Sequence, residues 1–170
     1  GMWSFMPPEI CYANSKDALD KALAIDNKIG ELYHSLAALL AFGEGDWARA
    51  EQYYLRSIEL NPDYSYAHAW YGILLSVLGR AEEAIREADR AIACDPLFSL
   101  EYAFKGLTLC GLGQTEQGRE QIAQAIAMNP EQPMSYLFLG LAYMAKDAVP
   151  GKAIESLKKP VELGLPFGLG

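Results

Sequence analysis

The stretch AHAWYGILLSVLGRAEEAIREADRAIACDP, residues 67–96, decides the fold. Its first half is apolar at helical spacing, and Gly79-Arg80 breaks the run. Its second half sets small apolar residues against charged ones with a helical period, and Asp95-Pro96 closes it. The unit is a helix, a turn and an amphipathic helix. The same plan recurs at a fixed step: Pro62, Pro96 and Pro130 stand 34 residues apart, as do Gly45, Gly79 and Gly113. So do Ala38, Gly72, Gly106 and Gly140, then Ala50, Ala84 and Gly118, then Ser57, Ala91 and Ala125. Agreement of five registers makes the chain an array of one repeated supersecondary unit.

Numbering each unit so that its proline is position 32 gives clean repeats at residues 31–64, 65–98 and 99–132, with a fourth beginning at 132 or 133. Positions 8 and 20 are small because the two helices of a pair approach there nearly backbone to backbone. Position 4 carries the rings of His34, His68, Tyr102 and Tyr136, opposite Tyr54, Ala88 and Ile122 at position 24. A glycine at position 15 can take positive φ at a helix end, and a proline at position 32 cannot continue the second helix. A helix-pair repeat of this length and pattern resembles the tetratricopeptide repeat. The resemblance spans about residues 14–163 and implies an all-α fold, a right-handed superhelical α-solenoid of antiparallel helix pairs, with about nine helices.

In chain order, residues 1–13 form an N-terminal extended segment and a helix start, with Pro8 and Glu9 suited to a first helical turn. The array of residues 14–163 divides into a half repeat at 14–30 and repeats at 31–64, 65–98, 99–132 and 133–163. Expected helices cover residues 31–42 and 46–60, with Asp46 as N-cap, then 65–78 and 80–94, then 99–112 and 115–128, capped by the Thr115 hydroxyl. The fourth repeat needs one extra residue near 149–151 to bring Ala153 to position 20, and Pro160 predicts that its second helix ends before that residue or shortly after it, with a kink or early termination there. Residues 164–170 are an apolar tail or the start of a further repeat. Gly1 before Met2 reads as a residue left by tag removal, and the array is expected to belong to a longer protein.

Composition narrows the function. A net charge of −8 has the wrong sign for binding a phosphate backbone, so no nucleic acid is expected. No apolar run approaches the roughly 20 residues that span a bilayer, so no membrane partner is expected either. Cys11, Cys94 and Cys110 lack metal-ligand spacing and suit a reducing, cytoplasmic setting. His34 and His68 stand one repeat apart, displaced by about 10 Å, the spacing of packed helices, which assigns them to packing rather than to a metal. Glu82, Glu83, Glu116 and Glu120 read as a solvated face paired with Arg86 and Arg90. Lys105 stands where the pattern wants Leu and is expected to snorkel or to pair with Glu101 or another acid. There is no phosphate loop, catalytic triad or zinc spacing, so neither enzyme activity, a metal site nor a cofactor is expected.

The resemblance places ligand contacts on the first helices of the repeats. Carried over, the candidates are Leu32, Ser35, Leu39 and Phe42, then Tyr66, Ala69, Ile73 and Ser76, then Leu100, Ala103 and Leu107, then Met134, Leu137 and Leu141. This set is apolar. The basic clamp with which tetratricopeptide repeats hold a chaperone's terminal carboxylate has no counterpart, since those positions carry Ser35, Leu39, Trp70, Leu100 and Phe104. The reading is a non-catalytic scaffold that binds an apolar helical or extended peptide in a concave groove. The alternative is a homo-oligomerisation module whose groove or ends are filled by identical subunits. Residues 45–96 resemble the repeat arrays of large bacterial signalling and regulatory proteins, and residues 7–27 are similar to the way such arrays open.

Overall fold

The computed structural model describes residues 8–145 and 148–163. Within them the order is α1 (Pro8–Ile25), α2 (Gly30–Leu39) continued by a π-helical turn (Leu40–Glu44), α3 (Trp47–Leu60), α4 (Ser65–Val77), α5 (Ala81–Cys94), α6 (Ser99–Gly111), α7 (Thr115–Met128), α8 (Pro133–Met144) and α9 (Pro150–Glu162). No strand occurs among the described residues. The fold is the all-α arrangement of helix pairs that the repeat implies. The extended segment expected at the N-terminus and the tail at 164–170 lie outside the described residues, apart from the helix start at Pro8. The chain divides into two compact units between Ala67 and His68.

In the first unit α1 packs on α2 and α2 on α3. Ala50, Tyr54 and Ser57 form the fully buried face of α3, and the His34 ring lies 5.9 Å from that of Tyr54, the expected facing pair. Asp46 caps α3 as expected, its carboxylate accepting from the Arg49 amide at 3.1 Å. The second half of α2 departs from expectation. The α-helix stops at Leu39 and widens into the π turn. The Asp46 amide donates six residues back to the Leu40 carbonyl, whereas Arg80 and Gln114 each donate five residues back, to Leu75 and Leu109. Contacts from α1 hold the wider turn. A side chain on Gly43 would lie 2.5 Å from the Tyr12 ring, the Tyr12 hydroxyl donates to Glu44, and Lys16 reaches the same carboxylate at 3.2 Å.

In the second unit the small positions do the expected work. A Cβ on Gly72 would sit 3.1 Å from the Ala84 carbonyl, and one on Gly106 would sit 2.5 Å from the Gly118 carbonyl. Gly79 and Gly113 take φ of 75° and 81°, and the amides of the next residues close the helix ends on α4 and α6. The rings of Trp70, Phe104 and Phe138, all at position 6, form a ladder through α4, α6 and α8, with both centroid separations 5.1 Å and both contacts edge to face. Tyr102 and Tyr136 donate to the carbonyls of Pro96 and Pro130 at 3.2 and 3.1 Å, so each position-4 tyrosine pins the linker before its own helix.

One local expectation is corrected. α7 begins at Thr115 itself, with Gln114 at the N-cap and no side-chain cap bond, because the Thr115 residue is drawn into the interior at 4 % exposure. α9 ends at Glu162, two residues past Pro160 and so shortly after it, as expected. Pro160 forfeits one helical hydrogen bond near the C-terminus, where few remain to be lost, and its ring is fully buried at the position of Ser57, Ala91 and Ala125. The expected charge pairing also shifts. Glu83 is gripped by Arg80, at 2.8 and 2.6 Å, and Glu116 by Arg119.

Candidate functional site

In the first unit Ser35, Leu39 and Phe42 are brought together. With Ser15, Leu19, His34, Ala38 and Gly43 they line an open cleft of about 600 Å3 between α1 and α2. Phe42, in the π turn, is 59 % exposed. The Ser35 hydroxyl is committed to the Glu31 carbonyl at 2.9 Å, which leaves Leu39 and Phe42, of the three candidates, as apolar contact groups beside Leu19 and Ala38. Leu32 is half-buried outside it, and Tyr66 joins an aromatic cluster with Tyr64 and His34.

In the second unit most candidates turn inward. Ala69, Ile73, Ser76, Leu100 and Ala103 are all buried, and the Ser76 hydroxyl donates to the Ile73 carbonyl at 2.7 Å. Close approach explains this burial, since a side chain on Gly111 of α6 would meet the Ser76 oxygen of α4 at 2.6 Å. Leu107, Met134 and Leu137 are half-buried and Leu141 is 43 % exposed. An apolar row on α8, with Leu107 of α6, is the part of the candidate set that remains accessible here.

The polar groups are structural in character. His34 Nε2 is buried without a hydrogen-bond partner. Burial pushes its imidazole down to about 4, with the charge of Glu31 pulling weakly the other way. Between the ordinary 6.5 and about 4 the unfolded chain binds a proton that the native His34 refuses. Native stability therefore falls with pH through that window, by up to about 3 kcal/mol. Replacing His34 by Gln should flatten this part of the pH–stability curve in urea unfolding between pH 7 and 4. An unchanged slope would contradict the assignment.

His68 is buried and bonded to Glu87 at 2.7 Å, and Lys105 pairs with Asp89 on α5 at 2.7 Å rather than with Glu101, which is fully buried. Burial raises the Cys110 thiol, which disfavours its thiolate. Arg119 carries a role that the sequence pattern does not mark. It is 8 % exposed, bonds Glu116 and the Ala142 carbonyl at 3.4 Å, and lies 5.0 Å over the Tyr143 ring, tying α7 to the end of α8. Its repeat counterparts, Glu51 and Ile85, give no hint of that role. Among the described residues no group of His, Cys, Asp or Glu could hold a metal ion, and no helix is long and apolar enough to cross a membrane.

Small residues at the crossings, glycine-closed helix ends and apolar first helices define a helical-repeat scaffold for protein–protein interaction, a class that is generally non-catalytic. A family profile described as tetratricopeptide repeat matches residues 35–97 and 105–159, and the chain belongs to the tetratricopeptide repeat family. Solved structures agree on the fold. TTC0263, a thermophilic tetratricopeptide protein of Thermus thermophilus, is similar with a TM-score of 0.75 at 18% identity, over 90% of this chain and 83% of that one. PilF of Pseudomonas aeruginosa is similar with a TM-score of 0.64 at 21% identity, over 92% and 71%. MamA 41-end of Desulfovibrio magneticus RS-1 is similar with a TM-score of 0.56 at 25% identity, over 85% and 81%. No curated protein sequence matches the chain significantly.

Proposed function

We propose that this chain is the peptide-binding scaffold of a larger bacterial regulatory or signalling protein, working in the cytoplasm. It holds an apolar helical or extended segment of a protein partner against the inner helices of its repeats. The observation that carries the reading is the accessible apolar surface on those helices, Leu39 and Phe42 in one unit and Leu137 and Leu141 in the other. No basic side chain stands among the candidate residues, so a terminal carboxylate has no electrostatic attraction to them.

Selection from a displayed peptide library tests this. Enriched sequences are expected to carry apolar anchors at helical or alternating spacing, and Phe42→Glu or Leu141→Glu should weaken their binding at least about tenfold, roughly 1.4 kcal/mol, because a charge is then set against an apolar anchor. Both positions are exposed, so the substitutions leave the fold intact. Enrichment of acidic C-terminal sequences, or equal binding by the variants, would sink the proposal. A second reading, self-assembly, draws on α9, where Ile154 and Val161 are 58 % and 49 % exposed on one face with Leu157 and Lys158. Light scattering over a dilution series separates the two, since a monomer at all concentrations excludes assembly.

A further inference from the structure

Tyr12 and Lys16 stand one helical turn apart on α1 and both reach the carboxylate of Glu44, the Tyr12 hydroxyl donating to it and the Lys16 ammonium lying 3.2 Å away. Burial and then the bond to Glu44 push the Tyr12 phenol up to about 12, and the same bond, with that of Lys16, holds the Glu44 carboxyl below its usual range. The phenol therefore stays a donor and the carboxylate an acceptor at neutral pH. The Tyr12 ring also fills the place of a side chain on Gly43, whose Cβ would fall 2.5 Å from it. The repeat itself does not demand glycine there, since the next unit carries Val77 at that position. What Gly43 admits is the ring. Gly43 and Glu44, the two residues that Tyr12 touches, belong to the π turn, and so does Phe42. On the neighbouring stripe of α1, Ser15 and Leu19 line the same cleft as Phe42.

We propose that Tyr12 is a positioning residue for the peptide site: its ring on Gly43 and its bond to Glu44 hold the turn in the π form and so keep the Phe42 ring turned out to meet a partner. The role in binding rests on the reading of Leu39 and Phe42 as peptide contacts. A π turn is rarely the favoured form of a helix and needs something to hold it. Phe42 is 59 % exposed, whereas Ser76 and Cys110, at the same repeat position in turns closed five residues back rather than six, are buried. Without Tyr12 the turn is free to close as its counterparts do, which draws position 42 inward. Only the fraction of chains that present Phe42 then binds, and the apparent affinity falls with that fraction. In return, a peptide that touches both Phe42 and the Ser15–Leu19 stripe favours the docked α1, because a ligand shifts a conformational equilibrium toward the state it binds better.

The test uses the full chain and reads the exposure of the Phe42 ring as the relaxation of its protons by a soluble paramagnetic probe in NMR. Tyr12→Ala is expected to lower that relaxation to less than half of the wild-type value. Tyr12→Phe, which keeps the ring on Gly43 and loses only the hydroxyl bond, should retain more than half. Gly43→Val, which evicts the ring while Tyr12 stays, is expected to act as Tyr12→Ala does and carries the test if that variant does not fold. A role in stability alone gives the opposite sign, since loosening α1 uncovers Phe42 further. Unchanged or higher relaxation in Tyr12→Ala therefore overturns the proposal. A peptide enriched on the wild type should bind Tyr12→Ala at least about tenfold more weakly, and equal binding also overturns it. If the wild type enriches no peptide while Tyr12→Ala lowers the relaxation, the positioning of Phe42 stands and the peptide-binding reading alone fails.

Discussion

Replacing Phe104 by Ala is expected to cost about 4 kcal/mol and to leave the second unit unfolded or nearly so at 37 °C. Phe104 is the middle rung of the ring ladder, 1 % exposed, with Trp70 and Phe138 each 5.1 Å away in edge-to-face contact. Truncation removes its buried area, opens a void between α4, α6 and α8 that their backbones cannot close, and deletes two ring contacts worth about 0.5–1.5 kcal/mol each. Chemical denaturation read by circular dichroism gives the number. Phe104→Leu, which keeps most of the volume, should recover more than half of the loss. A cost below about 1.5 kcal/mol for the alanine variant would show that the ladder is not what holds these helices together.

The second large effect is expected at Gly106. Any Cβ there stands 2.5 Å from the Gly118 carbonyl and 2.5 Å from the Ile122 side chain, and the carbonyl is backbone that cannot rotate away. α6 and α7 must separate along their whole crossing to admit valine, so Gly106→Val should destabilise by about 3 kcal/mol or more. Gly72→Ala meets its nearest carbonyl at 3.1 Å and should be tolerated far better. The ratio of the two denaturation midpoints, rather than either alone, reports the closeness of the α6–α7 crossing. Equal effects would mean that the two helix pairs are equally loose.

How much of the fold and the site is legible in the sequence depends on whether the cause is local. The step of 34 exposes Gly106 and Gly118 as crossing points, and Asp46 announces a cap, because steric exclusion and capping act on the residue itself. The burial of Ile73 and Ser76 is not legible. A side chain at a groove position is open or closed according to how near the next helix comes, and Gly111, which sets that distance, belongs to another repeat. Arg119 is hidden for a related reason, since its partners Ala142 and Tyr143 are more than twenty residues away and its own register position is variable. The π turn leaves no trace because it keeps the 34-residue spacing of the glycines while altering the path between them. The π turn is fixed by Tyr12, which is outside the clean repeats.

That turn acts as a frameshift in side-chain direction. One additional residue in a helical turn swings the side chains beyond it by about 100°. Phe42 lies inside the widened turn and stands 59 % exposed, while its register mates Ser76 and Cys110, in ordinary turns, are 5 % and 9 % exposed. A repeat protein gains little by changing the length of a unit, since every later crossing would slip. Borrowing one residue within a turn and returning it before the glycine leaves the crossings in step. It also converts a single packing position into one that can meet another molecule.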